Sequence, residues 1–212
     1  MSPCLTSTFL FADNMLSHLK DWDMRCFIKI NVDWTGTFGD FLMPLMRDQR
    51  VWYPLYALLL TYVIVKFKWK AVPFILFGVV TVALSDIISS HFLKDFIGRI
   101  RPCHEEQLVG IMKLRVGYCP NSGSFTSSHA VNHFSLATFF YLALRPYFKR
   151  WALLFFLWAG LIAYAQVYVG VHYPGDVLGG AVLGMLIGIL TAYFFRRYFN
   201  FQKNPFKKEA RI

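Results

Sequence analysis

The feature that most constrains this chain is a succession of apolar stretches, each near the length of a membrane-crossing helix. A helix that crosses the hydrocarbon of a bilayer needs about 20 largely apolar residues. Five stretches meet or approach that requirement, at 51–66, 71–93, 129–144, 151–170 and 176–195. The expected fold class is therefore all-α, a polytopic transmembrane helix bundle of about five spans. Composition agrees: 56% of the 212 residues are hydrophobic and 16% are charged, too little polar surface for a soluble domain of this size. The third stretch, AVNHFSLATFFYLAL, is short and carries polar residues, and its neighbours are what make it a span.

Basic residues between the stretches set an orientation, since positive charge in short loops marks the cytoplasmic side. Lys66, Lys68 and Lys70 follow the first stretch, and Arg145, Lys149 and Arg150 follow the third. Arg196, Arg197, Lys203, Lys207, Lys208 and Arg211 follow the last. The segments at 94–128 and 171–175, with the first fifty residues, then lie outside. This places the protein in the inner (cytoplasmic) membrane, with its outer loops facing the periplasm or exterior. Much of the net charge of +10 is accounted for by topology, so nucleic acid is not expected as a partner. The N-terminus lacks the basic and apolar succession of a cleavable signal peptide. Residues 16–46 mix Trp22, Phe27, Trp34, Phe38 and Phe41 with Lys20, Arg25, Lys29 and aspartates, which suits an amphipathic segment at the headgroup level. The organisation read here is an N-terminal interfacial segment at 1–50, a transmembrane unit at 51–195 and a basic cytoplasmic tail at 196–212.

Four cysteines are present, Cys4, Cys26, Cys103 and Cys119. The last two share one outer segment, where an oxidising compartment permits a disulfide closing a loop of about 16 residues. Two free thiols are the alternative. Neither spacing nor location favours a zinc site on Cys103, His104, Glu105 and Cys119, and no metal or cofactor is expected.

Ionisable groups gathered at one end of several spans are a functional signal in a membrane protein. In SDIISSHFLKDFIGRIRP, Asp86, Ser90 and Lys94 recur every four residues and share a helix face, which should point into the bundle. Lys94 then reaches the outer surface, near Arg101, whose backbone is fixed by Pro102. An ammonium and a guanidinium held together suit a phosphate. In GSFTSSHAVNHF, Ser127 and Ser128 fall at a helix N-cap, where free backbone N–H groups favour an anion, and His129 stands in the first turn. His133, one turn deeper, reads as a buried hydrogen-bonding residue. In AQVYVGVHYPGDVLGG, His172 occupies a short turn, and Asp176 four residues later can accept from one imidazole nitrogen and leave the other as a nucleophile.

These three segments, in this order, resemble the signature of the type 2 phosphatidic acid phosphatase superfamily. Its first part, lysine, six residues and Arg-Pro, is matched by Lys94, Arg101 and Pro102. Its second, Pro-Ser-Gly-His, is met by Thr126, Ser127, Ser128 and His129, which keep the serine and the histidine only. Its third, Ser-Arg, five residues, histidine, three residues and aspartate, is met by Ala165, Gln166, His172 and Asp176, which lack the arginine. The resemblance implies a membrane lipid phosphatase acting on a lipid phosphomonoester or pyrophosphate, such as undecaprenyl pyrophosphate or a lipid A phosphate. It implies His172 as nucleophile, Asp176 as its orienting acid and His129 as acid and base. Lys94, Arg101, Ser127 and Ser128 would hold the phosphate, with Gln166 at the position of the missing arginine. Arg99 or Arg115 is expected to supply the absent charge. A phosphotransferase of the same family and a catalytically weakened lipid-binding protein remain as alternatives.

Overall fold

The structure is a computed structural model that describes residues 3–199 and 201, with backbone alone at 3–14 and 16. Lys203, Lys207, Lys208 and Arg211 of the basic tail lie outside the described residues, as does the side chain of Cys4. Every regular element among the described residues is helical. In chain order these are α1 (Pro3–Ile28), α2 (Thr37–Arg47), α3 (Tyr53–Phe67), α4 (Ala71–Asp86), α5 (Lys94–Ile97), α6 (Ser128–Phe148), α7 (Leu154–Tyr168) and α8 (Pro174–Tyr198).

Three helical stretches among the described residues are long and apolar enough to cross a membrane, Gln49–Leu108, Ser128–Tyr168 and Pro174–Tyr198. The first two double back. Their turns are tight because Lys68 and Lys149 take the left-handed region, at φ 51° and 52°. Within the second hairpin α6 and α7 meet through Phe140 on Phe155, Phe134 on Phe156 and His133 on Trp158, and α3 packs across the two through Tyr56 on Trp158 and Tyr62 on Phe148. Ser85 bonds Ser135 at mid-depth, and Phe74 packs on Phe139 and Phe140 below. The result is five legs that follow the five apolar stretches of the sequence. Their outer faces expose Leu58, Val65, Leu76, Val79, Val182 and Leu186, an apolar surface matched to lipid.

The centre is a close pairing of α6 and α8. Gly180, Gly184 and Gly188 form a stripe along α8 against the α6 backbone. A Cβ on Gly180 would stand 3.0 Å from the Ser127 carbonyl, and on Gly184 and Gly188 it would collide with the Val131 and Ser135 carbonyls. Small residues are what let two membrane helices approach this closely. Thr81 to Thr191 adds an interhelical hydrogen bond of 2.8 Å. A core around Phe74, Phe139, Phe140, Phe195 and Phe201 fills the end carrying Lys68 and Lys149. A second core, of Phe27, Leu108, Ala130, Val167, Tyr173 and Val177, fills the opposite end and ties α1 to the bundle.

At that second end the backbone departs from α-helix. Residues Ile87–Leu93 are π-helical, so the face of Asp86, Ser90 and Lys94 is only partly turned inward. Lys94 is buried and Ser90 half-buried, but Asp86 is exposed. The wider i→i+5 spacing shifts the phase of the helix, and Ser85 and Ser89 take the fully buried positions instead.

Candidate active site

Arg101 leaves the loop after α5 buried, wired by its Nε to the Ser122 carbonyl at 2.8 Å and by Nη2 to Ser122 Oγ at 3.1 Å. Its Nη1 donates to the Val171 carbonyl at 3.0 Å and to His172 Nε2 at 3.1 Å. A nitrogen that accepts from a guanidinium carries no proton, so the proton of a neutral His172 sits on Nδ1. That atom has no hydrogen bond and lies 3.6 Å from Asp176 Oδ2, beyond hydrogen-bond length but within ion-pair range. Burial lowers the His172 pKa from its ordinary value to about 4, with the Arg101 charge acting the same way and Asp176 opposing. The imidazole is therefore neutral at pH 7, with its free lone pair directed at Arg101.

Asp176 is fully enclosed and saturated. Oδ2 accepts from Ser124 Oγ at 2.5 Å and from the Tyr173 backbone at 2.9 Å, closing the cap of α8. Oδ1 accepts from Arg99 Nη1 at 2.7 Å, and Arg99 Nη2 continues to Asp23 at 2.6 Å. Asp23, in α1, also accepts from the Gly175 N–H at 2.7 Å. Gly175 is needed there, since a Cβ would stand 2.7 Å from that carboxylate. Asp23 and Ser124 were not legible as site residues; their link to Asp176 exists only in the folded chain.

The α6 N-terminus forms as expected. Ser127, in extended conformation, caps the helix by accepting from Ala130 N at 3.4 Å. Ser128 pairs with Ser90 at 3.0 Å, and Ser90 donates to Asp86 at 3.0 Å. His133 is buried, with Nδ1 donating to the His129 carbonyl at 2.7 Å and Nε2 facing Tyr56 at 3.4 Å. The His129 ring stacks above it, centroids 6.2 Å apart, half-buried at the helix start. Lys94 lies against Gly123, whose Cβ would stand 2.8 Å from the Lys94 carbonyl.

Gln166 is fully buried on α7. Its Oε1 accepts from Arg47 Nε at 3.2 Å, and its Nε2 has no partner. Neither Arg99 nor Arg115 supplies the charge missing at this position. Arg99 is committed to Asp23 and Asp176, and Arg115 to Asp40 and to the Asn31 and Tyr168 carbonyls. Cys103 and Cys119 are joined as a disulfide, with Cα atoms 6.0 Å apart, in the loop that carries Arg101. Their sulfurs are thus unavailable to a metal beside His104, the one grouping of potential ligands found among the described residues.

A helical membrane bundle that converges a lysine, an arginine, a helix N-terminus and an imidazole–carboxylate pair at one end is a phosphate-handling membrane protein. The chain belongs to the PAP2 superfamily, whose sequence model matches residues 50–200. It is 32% identical over 173 residues to the lipid A 4′-phosphatase of Bacteroides thetaiotaomicron, covering 80% of this chain and 75% of that protein. It is 26% identical to the undecaprenyl-diphosphatase of Sulfolobus acidocaldarius, covering 80% and 77% of the two chains. Its fold is similar to that of the transmembrane PAP2-type phosphatidylglycerolphosphate phosphatase from Bacillus subtilis, with a TM-score of 0.64 over 95% of this chain and 98% of that one, at 22% identity.

Proposed function

We propose that this protein is an integral membrane phosphatase that hydrolyses a lipid phosphate through a phosphohistidine on His172. The observation that carries this reading is the position of His172 between Arg101 on Nε2 and Asp176 beside Nδ1–H. An incoming phosphate would be gripped by Arg101 and Lys94, displacing the guanidinium from the Nε2 lone pair and presenting phosphorus to it. The N–P bond forms as the P–O bond to the lipid breaks, and His129, entering the step as an imidazolium once the phosphate dianion is bound beside it, gives the departing oxygen a proton. His129 then takes a proton from the water that attacks the phosphohistidine, which restores both histidines and releases phosphate. Asp176 keeps the proton on Nδ1 and offsets the positive charge that grows on the ring. The N-cap at Ser127 and Ser128 contributes fixed dipoles where charge spreads over the equatorial oxygens. No step calls for a metal.

The substrate best supported is a lipid A phosphomonoester, on the strength of the relative from Bacteroides. Undecaprenyl pyrophosphate is the second reading, favoured by the relative from Sulfolobus. We assign the site to the outer face of the inner membrane, because Lys68, Lys149 and Arg150 mark the opposite end as cytoplasmic. On this reading α2 lies at the headgroups, turning Phe38, Phe41 and Leu45 outward.

The test is phosphate release by detergent-purified protein, with EDTA present, from lipid A, undecaprenyl pyrophosphate, phosphatidylglycerophosphate and phosphatidic acid. Release from lipid A that survives EDTA and disappears in His172→Ala is the expected result. Full activity in His172→Ala would sink the mechanism, and transfer of phosphate to another lipid without release would make the protein a phosphotransferase.

A further inference from the structure

Three cations, Lys94, Arg101 and Arg47, converge on the candidate site outside ion-pair range of any carboxylate among the described residues. Asp176, the nearest acid, is taken up by Arg99. Two of these cations belong to the signature. Arg47 lies before residue 50, where the family match begins, and nothing in the spacing of the motifs points to it.

Its placement is nonetheless firm. Arg47 is the last residue of α2, and the chain beyond it is pinned by Trp52 Nε1 donating to the Met46 carbonyl at 2.8 Å and by Asp48 accepting from Arg50 N at 3.0 Å. α2 itself is laid along the end of α7 at Gly39, where a side chain would collide with the Tyr168 hydroxyl, and Asp40 accepts from that hydroxyl at 2.8 Å. The Arg47 guanidinium then reaches Gln166 through Nε and the Tyr118 hydroxyl through Nη2 at 3.4 Å, with the Tyr118 ring 5.5 Å away. Its Nη1 makes no hydrogen bond among the described residues. It is close enough for its charge to act on both Arg101 and His129.

Gln166 adds the second half of the argument. A fully buried amide whose N–H groups find no acceptor is costly unless something fills the role. The amide oxygen is fixed towards Arg47, so the nitrogen is the end left open, at the position where the signature carries a charged donor.

We propose that Arg47 is a phosphate-binding residue of this protein, supplied by the N-terminal segment and held by Gln166, and that the two together replace the absent signature arginine. The inference rests on the active-site reading above. A guanidinium fixed at both Nε and Nη2 presents its remaining N–H groups without a further loss of rotamer freedom. With Lys94 and Arg101 it makes a triple positive charge suited to a phosphate dianion.

The experiment measures orthophosphate binding by thermal shift on the full chain in detergent, in a His172→Ala background where no phosphoenzyme forms. Kinetic constants on lipid A are measured with His172 intact. Arg47→Ala and Arg47→Gln should each weaken phosphate binding about 10- to 100-fold, the worth of one charge-assisted hydrogen bond. They should raise KM with a smaller fall in kcat. Adding Gln166→Arg to either should recover most of the loss, whereas Gln166→Arg alone, which crowds two guanidiniums, should not improve on the parent. Arg47→Gln keeps the chain length and polarity, so it carries the comparison if Arg47→Ala does not fold. Phosphate binding within twofold of the parent in a folded Arg47 variant would overturn the proposal, as would losses that Gln166→Arg does not recover. Turnover that survives His172→Ala would instead strike the phosphohistidine mechanism and leave the anion-binding comparison standing.

Discussion

At the scale of single residues, the candidate site is held by charges placed behind the reacting groups as much as by those in front. Arg99 is the clearest case, because it bridges the enclosed Asp176 to Asp23 while the ring of Tyr173 lies 4.2 Å from its guanidinium. Removing it leaves a buried carboxylate short of one partner, a loss of about 3–5 kcal/mol for a fully buried pair and less here, where Arg99 is 26% exposed. Arg99→Ala is therefore expected to lower the melting temperature and, on the proposed mechanism, in which Asp176 orients His172 and touches no substrate, to reduce kcat more than it raises KM. Steady-state kinetics and melts of the same preparation check this; a pure KM effect would place Arg99 on the phosphate instead. His172 makes a pH prediction. An unfolded imidazole takes up its proton below about pH 6.5, whereas buried His172 stays neutral down to about pH 4. Between those values the unfolded state binds more protons, so His172 subtracts stability as the pH falls through this window and has no effect above it. His172→Gln should flatten the fall in melting temperature between pH 6.5 and 4.5, and an unchanged slope would refute the assignment. The signature residues were legible because their spacing is local. Asp23 and Arg47 were not, because they reach Arg99 and Gln166 across 76 and 119 residues of sequence.

At the scale of elements, hydropathy located the apolar helices well and their pairing poorly. Length and apolarity say that a segment enters lipid, but in lipid they give no preference for one neighbour over another. The pairing is written in small residues: in the sequence Gly179, Gly180, Gly184 and Gly188 suit contacts inside the bundle as easily as between subunits, and the folded chain spends the last three on α6 while Gly179 faces Phe125. Gly188 is the tightest of the set. A Cβ there would press on the Ser135 carbonyl and stand 2.7 Å from the Thr138 Cβ, with no flexible tip to move aside. Gly188→Ala should destabilise the protein by about 1–3 kcal/mol, as overpacking does, and by straining α6 it should also lower activity. Gly160 on α7 has open space at its Cβ, so Gly160→Ala is the matched control and should leave the melting temperature level or raised. Equal effects at the two positions would mean that the α6–α8 contact does not set the spacing of the site. The π-helical turn at Ile87–Leu93 was missed because no residue type signals it, and it alters which of Ser85, Asp86, Ser89 and Ser90 faces inward.

At the scale of the whole molecule, the two ends differ in kind, and the difference yields an orientation that can be measured. One end closes on aromatic packing, with Phe67, Phe74, Tyr147 and Phe195 around Phe201, and carries Lys68, Lys149 and Arg150 in its turns. The other end carries the disulfide, the cation cluster and the docked N-terminal residues, where Asn31 ties the Lys113 backbone to the Tyr168 carbonyl. A disulfide persists in an oxidising compartment and basic turns are retained in the cytoplasm, so two independent rules support the proposed sidedness. Single cysteines in a background without Cys4 and Cys26 turn this into a labelling experiment. Glu106→Cys, within the disulfide loop, should react with a membrane-impermeant maleimide in intact cells made permeable only at the outer membrane. Arg150→Cys should react only after the inner membrane is opened. The reverse pattern would put the phosphate site on the cytoplasmic face, where a lipid phosphate would be met before export to the outer leaflet. It would also require the Cys103–Cys119 bond to survive a reducing compartment. That conjunction makes the inverted orientation the costlier one, and the two labels decide it without reference to any substrate.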